Sequence, residues 1–166
     1  PFSGPEIPPI SLSGTPHLSP SSRRNVIYFS SFPPCSLANS SFDHKMSQQA
    51  EKQKNLGNDA FKAGNFAKAI EYYTYATELD PKNPVYFTNR SMCYFKMQEW
   101  AKSLRDAEKS IALNGSWVKG FYRAGMAHIE LGLLKEAFAN LEKAAELEPD
   151  TSAYSQAAED CKQKLY

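Results

Sequence analysis

The feature that most constrains the fold of this chain is a fixed interval at which similar side chains recur. The small residues Gly57, Ser91 and Gly125 are equally spaced, and no insertion or deletion interrupts the series. The interval of about 34 residues lies within the range of about 20–50 residues that is typical of folds that stack copies of one small unit. We therefore predict three units, residues 50–83, 84–117 and 118–151. The same interval separates Phe66, Trp100 and Leu134; Ala69, Ser103 and Ala137; Ala76, Ser110 and Ala144; and Leu79, Leu113 and Leu147.

Each repeated position has a physical meaning if one unit is a hairpin of two helices. Small residues at the positions of Gly57 and Ala69 let the two helices approach closely. The large residue at the position of Phe66 follows a short turn and is expected to fill the top of the hairpin. Pro81 and Pro149 cannot continue a helix, because proline lacks a backbone N–H and clashes with the preceding turn. They are predicted to mark the end of a second helix.

These residues resemble the signature of the tetratricopeptide repeat family over residues 50–151. The resemblance implies an all-α fold, a right-handed solenoid of three helical hairpins. The second repeat departs from the family pattern at Ser103, Ala107 and Gly115, where the family usually has alanine, an aromatic residue and proline. These departures are expected to weaken packing without breaking the pattern.

One more helix is predicted over residues 152–166, after the third repeat. Its apolar residues fall at intervals of three and four, which places them on one face of a helix. A terminal repeat of a solenoid needs a polar outer face to stay soluble, so this helix is expected to cap the array. The apolar stripe consists of Tyr154, Ala157, Ala158, Cys161 and Leu165.

Residues 1–45 differ in composition from residues 46–166, which we predict to form the repeat domain. They hold 8 of the 11 prolines, many serines and no sustained apolar period. A segment that buries little apolar surface cannot offset the entropy cost of ordering, so disorder is expected. The sequence Met46-Ser47 resembles a natural start, which would make residues 1–45 a leader or added sequence. An organellar transit peptide is the alternative, although amphipathic helical spacing is missing.

Composition and motifs argue against several classes of function. The net charge of +1 lacks the basic excess typical of nucleic-acid binders, and no run approaches the ~20 apolar residues of a membrane span. Cys35, Cys93 and Cys161 lie far apart, which predicts no metal site and a reducing, cytoplasmic location. His128 occupies a repeat position expected to pack inside a hairpin. We predict no catalytic residues, no cofactor and a monomer.

Polar residues at positions that the repeat pattern does not require point to a binding surface. Lys54 and Asn58 are four residues apart, as are Lys119 and Arg123, so each pair lies on one helix face. Asn89 precedes Arg123 by one repeat interval, and stacking is expected to place both on the same wall. Lysine and arginine supply charge to a carboxylate, and asparagine supplies amide donors. The cluster therefore favours an acidic chain terminus as the ligand.

The same five residues match the dicarboxylate clamp of co-chaperone tetratricopeptide domains. This resemblance implies a peptide-binding adaptor for the Glu-Glu-Val-Asp C-termini of the seventy- and ninety-kilodalton heat-shock chaperones. Specificity for ligand residues upstream of the terminus is expected from neighbouring side chains, for which packing between repeats is the alternative role. The clamp consists of Lys54, Asn58, Asn89, Lys119 and Arg123, and the auxiliary residues are Lys96, Phe61, Met92 and Phe95.

Two other functions remain open from the sequence. The domain could be a general scaffold that binds an internal segment of a partner protein. It could also be an accessory domain of a larger enzyme, such as a ubiquitin ligase, an isomerase or a phosphatase.

Overall fold

The computed structural model describes residues 36–165, and the side chains from residue 41 onward. This part of the chain contains seven helices and no strand, which confirms the predicted all-α fold. The helices pair in sequence order as α1 with α2, α3 with α4 and α5 with α6, and α7 packs on α6. Their bounds are α1 Ser36–Lys62, α2 Phe66–Leu79, α3 Pro84–Lys96, α4 Trp100–Leu113, α5 Val118–Glu130, α6 Leu134–Leu147 and α7 Ser152–Leu165.

The turns within the three hairpins share one backbone conformation. Gly64, Gln98 and Gly132, which occupy one repeat position, have positive φ angles of 77°, 62° and 76°. In each turn the next residue's N–H donates to the carbonyl five residues earlier at 2.9 Å. This satisfies a carbonyl that the end of the first helix leaves free. The second helices then begin at the residues predicted to fill the hairpin tops, Phe66, Trp100 and Leu134.

The second helices also end where the prolines predict. Helix α2 ends at Leu79, two residues before Pro81, and α6 ends at Leu147, two residues before Pro149. The N-terminal residue of α3 is Pro84, where a missing backbone N–H has no helical partner to lose. The predicted repeat boundaries at 84 and 118 therefore coincide with the starts of α3 and α5.

The N-terminal boundary differs from the sequence prediction. Helix α1 begins at Ser36, so residues 36–45 are helical and the expectation of disorder is wrong for them. A helix that is already packed extends at little cost, because propagation is far easier than nucleation. Between Pro34 and Pro81 no proline stops it. Residues 1–35 and Tyr166 lie outside the described residues, and the predictions made for them stay predictions.

Close approach of the paired helices depends on a small residue facing a large one. A Cβ atom built on Gly57 would lie 2.6 Å from Cε1 of Tyr73, and one built on Gly125 would lie 2.6 Å from Cγ of Leu141. Real Cβ atoms do not reach such distances, so no larger residue fits here without movement. The prediction that small residues allow close packing is confirmed for hairpins one and three.

Hairpin two has small residues at both of the equivalent positions. Ser91 and Ala107 are both fully buried and stand where the other hairpins have glycine and a large side chain. The Ser91 hydroxyl donates to the carbonyl of Ser103 at 2.8 Å. The polar atoms are therefore satisfied in a fully buried contact. We call Gly57 with Tyr73 and Gly125 with Leu141 the small–large pairs; Ser91 and Ala107 occupy the equivalent positions of hairpin two.

Helix α7 covers the third hairpin as predicted for a cap. Ala158 and Cys161 join Ala137 and Leu141 in one buried cluster. The ring of Tyr154 packs on that of Tyr122 with a centroid distance of 5.1 Å. The predicted apolar stripe of this helix thus faces the repeats.

Candidate functional site

The predicted binding residues lie on the first helices of the hairpins, and side-chain contacts link these helices. Asn89 on α3 donates from Nδ2 to Oδ1 of Asn58 on α1 at 3.4 Å. Arg123 on α5 approaches Sδ of Met92 on α3 through Nη2 at 2.8 Å. Site residues of α1 and α3 are therefore in contact, and so are those of α3 and α5. We call the faces of α1, α3 and α5 that carry these residues the polar wall.

A buried tyrosine orients the amide of Asn58. The hydroxyl of Tyr73 on α2 donates to Oδ1 of Asn58 at 2.7 Å. Burial raises the pKa of Tyr73 well above its usual value, so the phenol stays protonated and remains a donor. Since Oδ1 of Asn58 accepts from both Tyr73 and Asn89, its Nδ2 group is left to donate to a ligand. The spacing of the repeats did not single out Tyr73, and its hydrogen bond was not predicted.

Arg123 is a half-buried cation, and no ion pair among residues 41–165 includes it. Burial lowers the pKa of its guanidinium, although the group remains charged near neutral pH. Its described contacts are softer ones, with Met92 and, at 5.6 Å, with the ring of Tyr122. A carboxylate bound on the polar wall would supply a counter-charge.

The two lysines of the predicted clamp differ in their surroundings. Lys119 is exposed at the start of α5. Lys54 forms an ion pair with Glu51 one turn earlier on α1, and its side chain is only 21% exposed. An arriving carboxylate would have to share Lys54 with Glu51 or displace it. Nothing in the repeat pattern predicted this competition.

Arg90, which follows Asn89, belongs to a separate buried network. Its Nε and Nη2 atoms donate to the two carboxylate oxygens of Asp106 at 2.7 and 2.8 Å. Its Nη1 donates to Oγ1 of Thr74 at 3.0 Å. The hydrogen bond with Asp106 raises the pKa of Arg90, in contrast to the lowered pKa of Arg123. Arg90 is thus satisfied internally, and it fixes α3 against both α2 and α4.

The auxiliary residues divide into packed and exposed side chains. Phe61 packs on Phe66 at a centroid distance of 5.2 Å, and Phe95 packs on Trp100 at 4.8 Å. Both phenylalanines remain half-buried. Each contact lies within one hairpin, at its top. Met92 supports Arg123, and Lys96 is exposed in the last turn of α3.

Other kinds of site find no support in the described part of the chain. Within residues 41–165, no group of three or more His, Cys, Asp or Glu side chains could hold a metal ion. His128 is buried, as predicted, with Nδ1 3.5 Å from Nδ2 of Asn140. Among the helices described, none is both long and apolar enough to cross a membrane.

Comparison with known proteins places this geometry in one family. Family models described as "Tetratricopeptide repeat" match residues 36–83 and 118–151. Heat shock protein STI1 of Saccharomyces cerevisiae is 42% identical over 109 residues, which cover 65% of this chain and 18% of the yeast protein. The chain spans no more than about a quarter of the length of the curated relatives it matches, with values from 16% to 25%.

Two solved structures are similar over most of their length. The first tetratricopeptide domain of Spaghetti (RPAP3), bound to the HSP90 peptide SRMEEVD, has 37% identity and a TM-score of 0.70, with 72% of this chain and 94% of that chain covered. The second such domain of human RPAP3, in complex with the HSP70 peptide SGPTIEEVD, has 33% identity and a TM-score of 0.66, with 72% and 98% covered. The chain therefore belongs to the tetratricopeptide repeat family.

Proposed function

We propose that this domain is a co-chaperone adaptor that binds the free C-terminus of heat-shock chaperones ending in Glu-Glu-Val-Asp. The observation that carries the proposal is Arg123, a half-buried guanidinium outside every ion pair of residues 41–165, on a wall that also presents two lysines and two amides. The similarity of the domain to structures in complex with HSP90 and HSP70 peptides supports the same class of ligand. The partners of this chain are accordingly the seventy- and ninety-kilodalton chaperones.

The roles of the five clamp residues follow from their contacts. Asn58 donates through Nδ2, because its oxygen already accepts from Tyr73 and Asn89. Arg123 can form two parallel hydrogen bonds with one carboxylate, which a lysine cannot do. Lys119 adds an exposed positive charge, and Lys54 joins the ligand when it exchanges Glu51 for the incoming carboxylate.

The auxiliary residues would contact the ligand upstream of its terminus. Lys96 is placed to attract a glutamate of the motif, since it lies two turns beyond Asn89 on α3. Met92, Phe61 and Phe95 offer half-buried apolar surface beside the wall. Their packing partners hold them in fixed positions, which lowers the entropy cost of binding.

Amidation of the ligand's C-terminus tests the proposal. The free acid SRMEEVD is expected to bind at about micromolar affinity. Its C-terminal amide lacks one carboxylate charge and is expected to bind at least ~10-fold more weakly, which corresponds to a loss of about 1.4 kcal/mol. Isothermal titration calorimetry with both peptides measures the ratio. Equal affinity for the two peptides would rule out carboxylate recognition and favour the scaffold that binds internal segments.

A second prediction concerns the hydroxyl of Tyr73. Tyr73→Phe keeps the ring that packs on Gly57 but removes the donor to Asn58. A hydrogen bond of this type contributes about 0.5–1.5 kcal/mol, so binding of SRMEEVD is expected to weaken ~2- to 12-fold. Tyr75→Phe is the matched control, because Tyr75 lies on the same helix and is 47% exposed. If both variants bind like wild type, Tyr73 has no part in orienting the site.

The domain itself is not catalytic, and it acts either alone or as an accessory domain of a larger enzyme. It is a monomer in the cytoplasm, which agrees with its two unpaired buried thiols, Cys93 and Cys161. Burial raises the pKa of Cys93 to about 12, so this thiol is unreactive near neutral pH.

A further inference from the structure

A cavity of about 340 Å³ lies between α5 and the capping helix α7. Its apolar lining includes Met126 on α5 and Ala153 and Ala157 on α7. Two carboxylates, Glu130 and Asp160, lie at the same cavity, one from each helix. The cavity thus combines an apolar floor with acidic groups on opposite sides.

This cavity continues the polar wall. Met126 and Glu130 follow Arg123 by three and seven residues, so they lie on the same face of α5. Ala157 stands one repeat interval after Arg123, and therefore occupies the equivalent position on α7. The small alanine leaves open the space that the arginine side chain fills one repeat earlier.

The sign of the charge changes between the clamp and the cavity. Glu130 on α5 occupies the repeat position of Lys96 on α3. Neither Glu130 nor Asp160 appears in an ion pair among residues 41–165, and Asp160 accepts a hydrogen bond from Gln156 at 2.7 Å. Lys164 also lines the cavity, so its formal net charge is −1. A basic ligand group is favoured here, whereas the clamp favours an acidic one.

We propose that this cavity is a subsite for an arginine or lysine side chain that precedes the Glu-Glu-Val-Asp motif. The inference rests on the proposed function. The methylene groups of such a side chain would cover Met126 and Ala157, while its charge lies between Glu130 and Asp160. The cavity would thereby select among chaperone termini by the sign of the charge upstream of the motif.

The distances agree with this assignment. In SRMEEVD the arginine stands five residues before the terminal aspartate, which is about 16 Å in an extended peptide at ~3.3 Å per residue. Arg123 and Glu130 are seven helical residues apart, or about 10 Å along α5. Asp160 lies on the neighbouring helix α7, so the span from the clamp to the cavity is longer than this distance along α5. SGPTIEEVD has no basic residue, so SRMEEVD is the preferred ligand of the two.

Titration of SRMEEVD and of the same peptide with alanine in place of arginine tests the subsite. Wild-type protein is expected to bind the alanine peptide ~2- to 5-fold more weakly, because Glu130 and Asp160 are exposed and exposed ion pairs contribute up to about 1 kcal/mol. The double variant Glu130→Gln/Asp160→Asn is expected to bind both peptides equally, at the affinity of wild type for the alanine peptide. Glu108→Gln/Glu142→Gln is the control, because it removes the same charge from exposed positions on the second helices α4 and α6.

The outcomes separate this inference from the proposed function. If wild type binds both peptides equally while the C-terminal amide still binds weakly, the subsite is refuted and the clamp stands. If the double variant keeps the wild-type ratio, other residues read the arginine and the subsite is likewise refuted. If no peptide binds, or the amide binds as tightly as the acid, the proposed function fails and the subsite fails with it.

Discussion

Arg123→Ala is expected to lower the affinity for SRMEEVD by ~10- to 100-fold, and Lys119→Ala by ~10-fold. A hydrogen bond to a charged group contributes about 1.5–3 kcal/mol, and each 1.4 kcal/mol corresponds to a factor of ten. The loss is larger for Arg123→Ala because the Arg123 side chain is half-buried and can bind both carboxylate oxygens. Calorimetric titration measures both affinities. Added salt should weaken wild-type binding as well, since screening acts over about 8–10 Å at physiological ionic strength.

The unliganded fold should tolerate both changes. Lys119 is exposed, and Arg123→Ala removes a desolvated charge that has no acidic partner among the ion pairs of residues 41–165. Its removal is expected to leave the free energy of unfolding unchanged or slightly higher. Lys109→Ala, at an exposed position on α4, is the control for loss of one positive charge. A double variant of Lys119 and Arg123 that binds like wild type would contradict the clamp.

Asp106→Ala is expected to destabilise the domain by about 3–5 kcal/mol, because it leaves Arg90 charged and without its partner. The side chains of Arg90 and Asp106 are only 15% and 8% exposed, so water cannot replace the lost hydrogen bonds. Thr74 would retain one contact with the guanidinium, which cannot compensate for two bonds to a carboxylate. Urea unfolding followed by circular dichroism gives the change in unfolding free energy.

Replacing both partners separates the interaction from the cost of an unpaired charge. Arg90→Met/Asp106→Leu removes the buried arginine and the buried carboxylate together, and it should recover much of the stability lost in Asp106→Ala. Glu108→Ala on the same helix is the control, since Glu108 is exposed. A loss below about 1 kcal/mol in Asp106→Ala would mean that solvent reaches Arg90 readily, against the observed burial.

The helical hairpins could be predicted because their determinants are periodic. Glycines, prolines and large residues at the repeat interval act on the local backbone and on adjacent helices, so each repeat position carries its own structural consequence. The start of α1 at Ser36 could not be predicted in this way. Residues 36–45 have poor helix formers and lie outside the repeat, and their helical state depends on continuity with a packed helix.

The site was predictable in part, for a related reason. Spacing places Asn58 and Arg123 on first helices, because it determines the face on which a residue lies. The hydrogen bond of Tyr73 with Asn58 and that of Arg90 with Asp106 do not recur in the other repeats. The positions equivalent to Arg90 hold Leu56 and Ala124. Hydrogen bonds of this kind depend on side-chain reach across helices, which a one-dimensional pattern does not contain.

The small–large pairs also bear on how three hairpins of one period avoid pairing wrongly during folding. If α2 took the place of α4 as the hairpin partner of α3, the ring of Tyr73 would meet Ser91, whose side chain occupies the space that Gly57 leaves open. If α4 packed on α1, Ala107 would face Gly57 and leave a cavity. Overpacking costs about 1–3 kcal/mol and comparable cavities about 2–5 kcal/mol. The different volumes thereby disfavour exchange of one hairpin's second helix for another's, although the backbone turns are alike.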